Sequence, residues 1–237
     1  MWDWLRRRRE PLRILRVRSR DEVSDTTLVD FAELAPDIDT FLGQAAYLQL
    51  GFFETLSELI SATPGLADKE ALSRAAGAAL DKHEKLVALM RAGGDDPTAL
   101  MLPFREQLDA FRDATHGTRT PETMLSVHIT AGMLDDFYVS LSSSYGEQGR
   151  AAAGILRASD GSEGVLTILR RTIESDPEWA SLLSLWGRRL VGDTLLVARA
   201  ALAPVRLDEA DEKKVEPVFT ELLAAHDRRM SEMGLAA

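Results

Sequence analysis

Apolar side chains recur at spacings of three and four residues along four long segments of this chain. This spacing places them on one face of an α-helix, so each segment is expected to bury one side against a neighbour. Alternation with a period of two, which is typical of half-buried strands, never persists beyond a few residues. The pattern therefore predicts an all-α fold built on a four-helix bundle, with additional peripheral and C-terminal helices. The four stripes include Leu42, Ala45, Phe52, Leu56 and Leu59; Leu72, Ala75, Ala79, Leu86 and Met90; Met124, Val127, Ala131, Leu134, Tyr138 and Leu141; and Ile155, Ala158, Val165 and Ile168.

Capping residues, prolines and glycines indicate where the helices begin and end. Asp68 is expected to cap the second helix, and Thr120 and Asp176 each precede a proline suited to the first helical position. A polar, glycine-containing run at 159–164 is expected to kink or break the fifth helix, because glycine costs about 1 kcal/mol relative to alanine in a helix. The predicted helices span 37–62, 69–91, 103–115, 121–144, 148–174, 177–203 and 208–233.

Charge is divided unevenly along the chain. The first 20 residues hold eight arginines against Asp3 and Glu10, a net charge of +6. Because the whole chain has a net charge of −10, the remaining residues carry −16. This division predicts a basic arm over residues 1–24, followed by one helical domain over residues 37–235. The arm could contact a membrane surface, a protein partner or an RNA backbone, and a homodimer is also left open. The arginines proposed for this contact are Arg6, Arg7, Arg8 and Arg9.

The chain has no cysteine, which excludes disulfides and thiolate metal sites. No uninterrupted apolar run approaches the roughly 20 residues that a membrane-spanning helix needs, and the arginine-rich start lacks the apolar core of a secretory signal. We therefore expect a cytoplasmic protein, with contact at the membrane periphery as one option.

Few polar side chains lie on the apolar stripes. Gln49 is the one polar member of the first stripe, and a buried amide needs a hydrogen-bond partner on a neighbouring helix. His83 lies on the second stripe and is interpreted as a hydrogen-bonded core imidazole, with Gln49 as one candidate partner. Asp135 is expected to lean toward the edge of the core. Four charged residues beside His83 are predicted to form an ordinary surface: Asp81, Lys82, Glu84 and Lys85.

No other arrangement indicates catalysis. The remaining histidines, His116, His128 and His226, are scattered along the sequence, and no nucleophile elbow, phosphate-binding glycine loop or zinc-type HExxH motif occurs. Arg189 and Asp193 lie four residues apart on the sixth predicted helix, which predicts an intrahelical ion pair.

Five short motifs carry a resemblance to a known family: FLGQAAYLQLGFF (41–53), AALDKHEKL (78–86), DDFY (135–138), LWGRRLVGD (185–193) and AHDRRM (225–230). Their order and spacing are similar to those of bacterial ferritin-like proteins of the kind that hydroxylate methylthio-isopentenyl-adenosine in tRNA. The resemblance implies a bundle that binds two irons through a carboxylate, a Glu-x-x-His pair, another carboxylate and an acid-x-x-His pair, one set from each core helix.

In this sequence the resemblance maps those ligands onto residues that mostly cannot bind iron. The matching positions are Gln49, Leu80 with His83, Ala131, and Ala158 with Gly161. Because two bridging irons need several anionic oxygens, we predict that the di-iron ligands are lost and that no metal or other cofactor is used. The predicted function is that of a non-catalytic interaction or accessory protein. The alternative is a tRNA-hydroxylase-type oxidoreductase whose metal site has moved to nearby acids, namely Asp81, Glu84 and Asp135.

Overall fold

The structure is a computed structural model that describes residues 34–202 and 209–237. The predicted basic arm at 1–24, with Arg6 to Arg9, lies outside these ranges. Within them, helix is the only regular secondary structure, and none of the helices contains a stretch both long and apolar enough to cross a bilayer. The α-helices are α1 (Ile38–Ala62), α2 (Leu66–Gly93), α3 (Pro97–Met101), α4 (Arg105–Thr115), α5 (Thr120–Leu141), α6 (Gly146–Leu156), α7 (Ser162–Ser175), α8 (Pro177–Ala200) and α9 (Glu209–Glu232).

Four rods form the central bundle, and this confirms the predicted fold class. Helices α1 and α2 pack as a pair, α5 packs beside α1, and α6 with α7 forms the fourth rod against α2 and α5. The remaining long helices lie outside this bundle. Helices α8 and α9 cover α5, whereas α3 and α4 cover α1. One apolar core runs through all these layers, from Leu34 to Leu235.

The helix ends show which capping predictions hold. The Asp176 side chain accepts a hydrogen bond from the Glu178 amide at the start of α8, as predicted. Asp68 does not cap α2, because that helix begins earlier, at Leu66. The Asp68 carboxylate instead pairs with Arg171 of α7. Thr120 is the first residue of α5 rather than its cap, which is formed by Arg119 and Glu122.

The fifth predicted helix, 148–174, is two helices separated by residues 157–161. Gly161 has a φ of +67°, and a Cβ there would lie 2.9 Å from the Ala75 Cα, so glycine lets the chain pass closely over α2. The Asp160 carboxylate accepts a hydrogen bond from the Ser162 amide and supports the first turn of α7. The break therefore brings the start of α7 against the middle of α2.

Candidate functional site

A small cavity of about 30 Å³, lined by both apolar and polar side chains, lies between the core helices. All four core rods contribute to its walls, and α7 contributes its first turn. Apolar side chains such as Phe52 and Leu56 form part of the lining. Its polar lining residues are Gln49, Lys82, His128, Asp135, Asp160 and Ser162.

A buried ion pair lies in the wall of this cavity. The Lys82 Nζ lies 2.7 Å from Asp135 Oδ2, and Gln49 Nε2 donates to Asp135 Oδ1 at 2.7 Å. One carboxylate thus joins α1, α2 and α5. Lys82 is only 2 % exposed, so the prediction that it belongs to a charged surface is wrong. Positions 75, 79, 82 and 86 share the inward face of α2, and Lys82 occupies the third of them.

Burial dominates the protonation chemistry of Asp135. Removal from water raises its pKa to about 6, although the Lys82 ammonium and the Gln49 amide both favour the charged form. At neutral pH the carboxylate is ionised and accepts hydrogen bonds from both neighbours. Both of its oxygens are therefore already engaged.

Gln49 and His83 both have hydrogen-bond partners, but they do not bind each other. The predicted partner of Gln49 on a neighbouring helix is Asp135 of α5. His83 is half-buried, and its Nδ1 lies 2.9 Å from the Ala46 carbonyl oxygen. Because a carbonyl can only accept, Nδ1 carries the hydrogen and donates it to α1. The interpretation of His83 as a hydrogen-bonded imidazole is therefore confirmed, whereas the suggested contact with Gln49 is wrong.

The other positions implied by the resemblance differ in whether they line the cavity. Ala131 lines the cavity, whereas Leu80 does not, and the α2 residues that line it are Ala75, Ala79 and Lys82. Ala158 and Gly161 lie in the break between α6 and α7. The acid that this break brings to the cavity is Asp160, which is exposed and marks the side nearest to solvent.

His128 is the histidine that lines this cavity; it is partly buried, with both ring nitrogens removed from solvent, and the sequence did not single it out. Neither of its ring nitrogens has a hydrogen-bond partner among the described residues. Burial lowers its pKa, and the nearby Arg229 guanidinium lowers it further, so the ring is neutral at pH 7. In the sequence, the one indication that His128 lies near the core is its position beside Val127 at the edge of a stripe.

Comparison with known families agrees with this architecture. Residues 34–206 match the model of a family described as the ferritin-like domain of actinomycetes. The chain belongs to this ferritin-like family. No curated protein matches the sequence significantly.

The centre of this ferritin-like domain does not fit a pair of iron ions. Di-iron members of the fold supply a Glu from each of two helices and Glu-x-x-His from each of the other two. Here Gln49 supplies a neutral amide, and the Asp135 carboxylate is bound to an ammonium. That ammonium would repel a metal cation at the same carboxylate.

The acids of the displaced-site alternative do not assemble either. Asp81 pairs with Lys85 on the surface of α2, and Glu84 is exposed, whereas Asp135 faces the cavity. In the part of the chain that the structure describes, no three His, Asp or Glu side chains are grouped so that they could hold a metal ion. The described side chains are therefore not arranged as a metal centre.

Proposed function

We propose that this ferritin-like domain is a non-catalytic interaction or accessory protein in which a buried ion pair replaces the di-metal centre. The observation that carries the proposal is the Lys82–Asp135 pair at 2.7 Å, with Lys82 almost fully buried. In a metal-binding bundle, cations neutralise inward carboxylates and join the helices. The Lys82 ammonium supplies a positive charge at the same place, and it is covalently part of the chain.

We propose further that the chain descends from a bundle of the tRNA-hydroxylase kind, which is the finer part of the resemblance. Two features support this. Gln49 and Ala131, two of the positions that the resemblance maps to ligands, line the cavity between the core rods. Asp135 is an inward acid that its neighbours keep in a salt bridge instead of leaving it free for metal.

Metal analysis of the purified full chain tests the proposal. We expect far less than one iron, manganese or zinc ion per chain by mass spectrometry, both as isolated and after anaerobic incubation with Fe(II). Asp135→Asn removes the buried carboxylate, and Asp136→Asn is the matched control, because Asp136 is exposed and pairs with Arg229. One or two metal ions per chain that disappear in Asp135→Asn but remain in Asp136→Asn would overturn the proposal.

For the partner of such an accessory protein, we propose recruitment in the cytoplasm through the basic segment 1–24. The support is its charge: the first 20 residues carry +6, and the rest of the chain carries −16. Binding through it should therefore weaken as salt rises. The test compares the full chain with a variant lacking residues 1–24, using anionic vesicles, RNA and cell-lysate proteins as separate probes. Equal binding by both proteins to all three probes would contradict this role.

A further inference from the structure

Helix α8 presents two exposed leucines on a single face. Leu185 is 63 % exposed and Leu196 is 66 % exposed. They are eleven residues apart, which is close to three helical turns, so they point in nearly the same direction. Only five large hydrophobic side chains are exposed in the described ranges, and these are two of them. The surface formed by Leu185, Arg189, Gly192, Asp193 and Leu196 is called the α8 face below.

Gly192 lies between these leucines, and nothing in the fold of the chain requires a glycine there. A Cβ at this position would meet no atom within 4 Å, and the residue lies inside a regular helix. Glycine at such a place lowers helix stability by about 1 kcal/mol relative to alanine. Gly77 and Gly154 are equally open, but no exposed large hydrophobic side chain lies within two helical turns of either. A small residue between two leucines lets a second helix approach closely.

The two charges of the α8 face are centred at nearly the same position of the helix as its two leucines, since the midpoint of 189 and 193 is 191 and that of 185 and 196 is 190.5. Arg189 Nε lies 4.0 Å from Asp193 Oδ2, at the outer limit of an ion pair, so the predicted intrahelical pair is present but weak. Both side chains lie on the same flank of the face, on the side of Trp186. One acid and one base, a turn apart, remain able to bind charges of a neighbouring surface.

We propose that the α8 face binds the same face of a second copy, with the two helices antiparallel about a twofold axis between positions 190 and 191. In that register Leu185 lies opposite Leu196 of the partner subunit. Because the twofold axis is perpendicular to the helices, the same flank of each helix lies on the same side of the interface. On that side, Arg189 lies opposite position 192 of the second copy, one position away from Asp193 of the partner subunit. One register thus pairs the leucines and the charges, and each contact occurs twice.

This self-complementarity favours a second copy over an acidic foreign segment. An acidic segment would match Arg189, but it would leave Asp193 facing like charge. In the symmetric pair Arg189 gains a partner carboxylate and Gly192 faces the aliphatic stem of the partner subunit's Arg189. The leucine pairs bury apolar surface that each monomer leaves in water.

Sedimentation velocity on the full chain over a range of concentrations tests the proposal. The full chain is expected to be a dimer, and Gly192→Glu is expected to be a monomer because it places bulk and charge at the crossing point. Gly77→Glu is the matched control on α2, where an added side chain also meets no atom within 4 Å, and it should remain a dimer. Both substitutions replace an exposed helical glycine, so neither is expected to unfold the monomer.

A charge exchange identifies the register. Arg189→Asp and Asp193→Arg should each weaken dimerisation about tenfold or more, because each creates two like-charge contacts across the axis. The double variant should restore dimerisation, since both contacts return with their signs exchanged. A full chain that stays monomeric, a dimer unaffected by Gly192→Glu, or a double variant no better than the single ones would overturn the proposal.

Discussion

At the scale of single residues, Lys82 is the side chain on which the bundle centre depends. Among the described residues, its ammonium is the one cation bound to Asp135, and Gln49 is the one other side chain that binds that carboxylate. Removing one partner of a buried pair leaves an unpaired charge, which typically costs about 3–5 kcal/mol. Removing both charges is far less harmful, because the remaining groups can still form hydrogen bonds.

We therefore expect Lys82→Met to lower the free energy of unfolding by about 3–5 kcal/mol at pH 7.5. Adding Asp135→Asn should recover most of this loss, because an asparagine can still bind Gln49 without a charge. Lys85→Met is the matched control, since it breaks an exposed pair with Asp81 and should cost less than about 1 kcal/mol. Denaturant unfolding of the four proteins provides the measurement, and equal losses for the two lysine variants would contradict the assignment.

The same centre predicts how stability changes with pH. Burial raises the pKa of Asp135 from 3.8 to about 6 in the folded protein. Between these values the folded state holds a proton that the unfolded state has released, so the Asp135 contribution to stability decreases as pH rises and is constant above about pH 7. Relative to Asp135→Asn, the free energy of unfolding should fall by roughly 2.4 kcal/mol from pH 4 to pH 7. A difference that stays constant or increases with pH would contradict the raised pKa.

At the scale of elements, the break between α6 and α7 shapes the site. It brings Asp160 and Ser162 to the cavity, where an unbroken helix would place other residues. Gly161 makes the break possible, because its positive φ and its contact with Ala75 both exclude a side chain. Gly154, one helix earlier, has no such constraint.

This contrast gives a paired prediction for two glycines. Gly161→Ala should lower the free energy of unfolding by about 1–3 kcal/mol, because alanine would be forced into the left-handed region and against α2. Gly154→Ala should raise it by roughly 0.5–1 kcal/mol, since an open helical position gains from the loss of glycine. Chemical unfolding of both variants beside the parent measures the two signs, and a stabilising Gly161→Ala would mean that the chain does not need this turn.

Sequence patterns predicted the elements better than they predicted the site. The stripes located α1, α2 and α5 because many apolar residues report the same face. They missed Lys82 because positions 82 and 83 both satisfy the three-and-four spacing between Ala79 and Leu86, and the charge of Lys82 favoured the surface; nothing local indicated that Asp135 lies opposite. The run at 159–164 did predict a disturbance of the fifth helix. The break brings Asp160 to the cavity because Gly161 packs against Ala75, and this contact joins residues that are far apart in the sequence.

At the scale of the whole molecule, the bundle and its outer helices share one core. Met230 of α9 reaches Gly187 of α8, where a Cβ would lie 2.4 Å from its methyl group. The C-terminal segment is also held, since Leu235 is buried and the Ala236 amide donates to Ser184 Oγ. Because α8 and α9 have no separate core among the described residues, they are expected to unfold together with the central bundle.

Two probes can test this cooperativity. In a Trp2→Phe, Trp4→Phe background, fluorescence reports on Trp179 and Trp186 of α8, whereas far-UV circular dichroism reports on all the helices. We expect the two guanidinium unfolding curves to coincide. Leu235→Ala should move both curves together by about 2–3 kcal/mol, because it removes a buried side chain. Leu223→Ala is the control, since that leucine is exposed and should have little effect. A fluorescence transition that precedes the loss of helix would show that α8 and α9 form a separate, weaker layer.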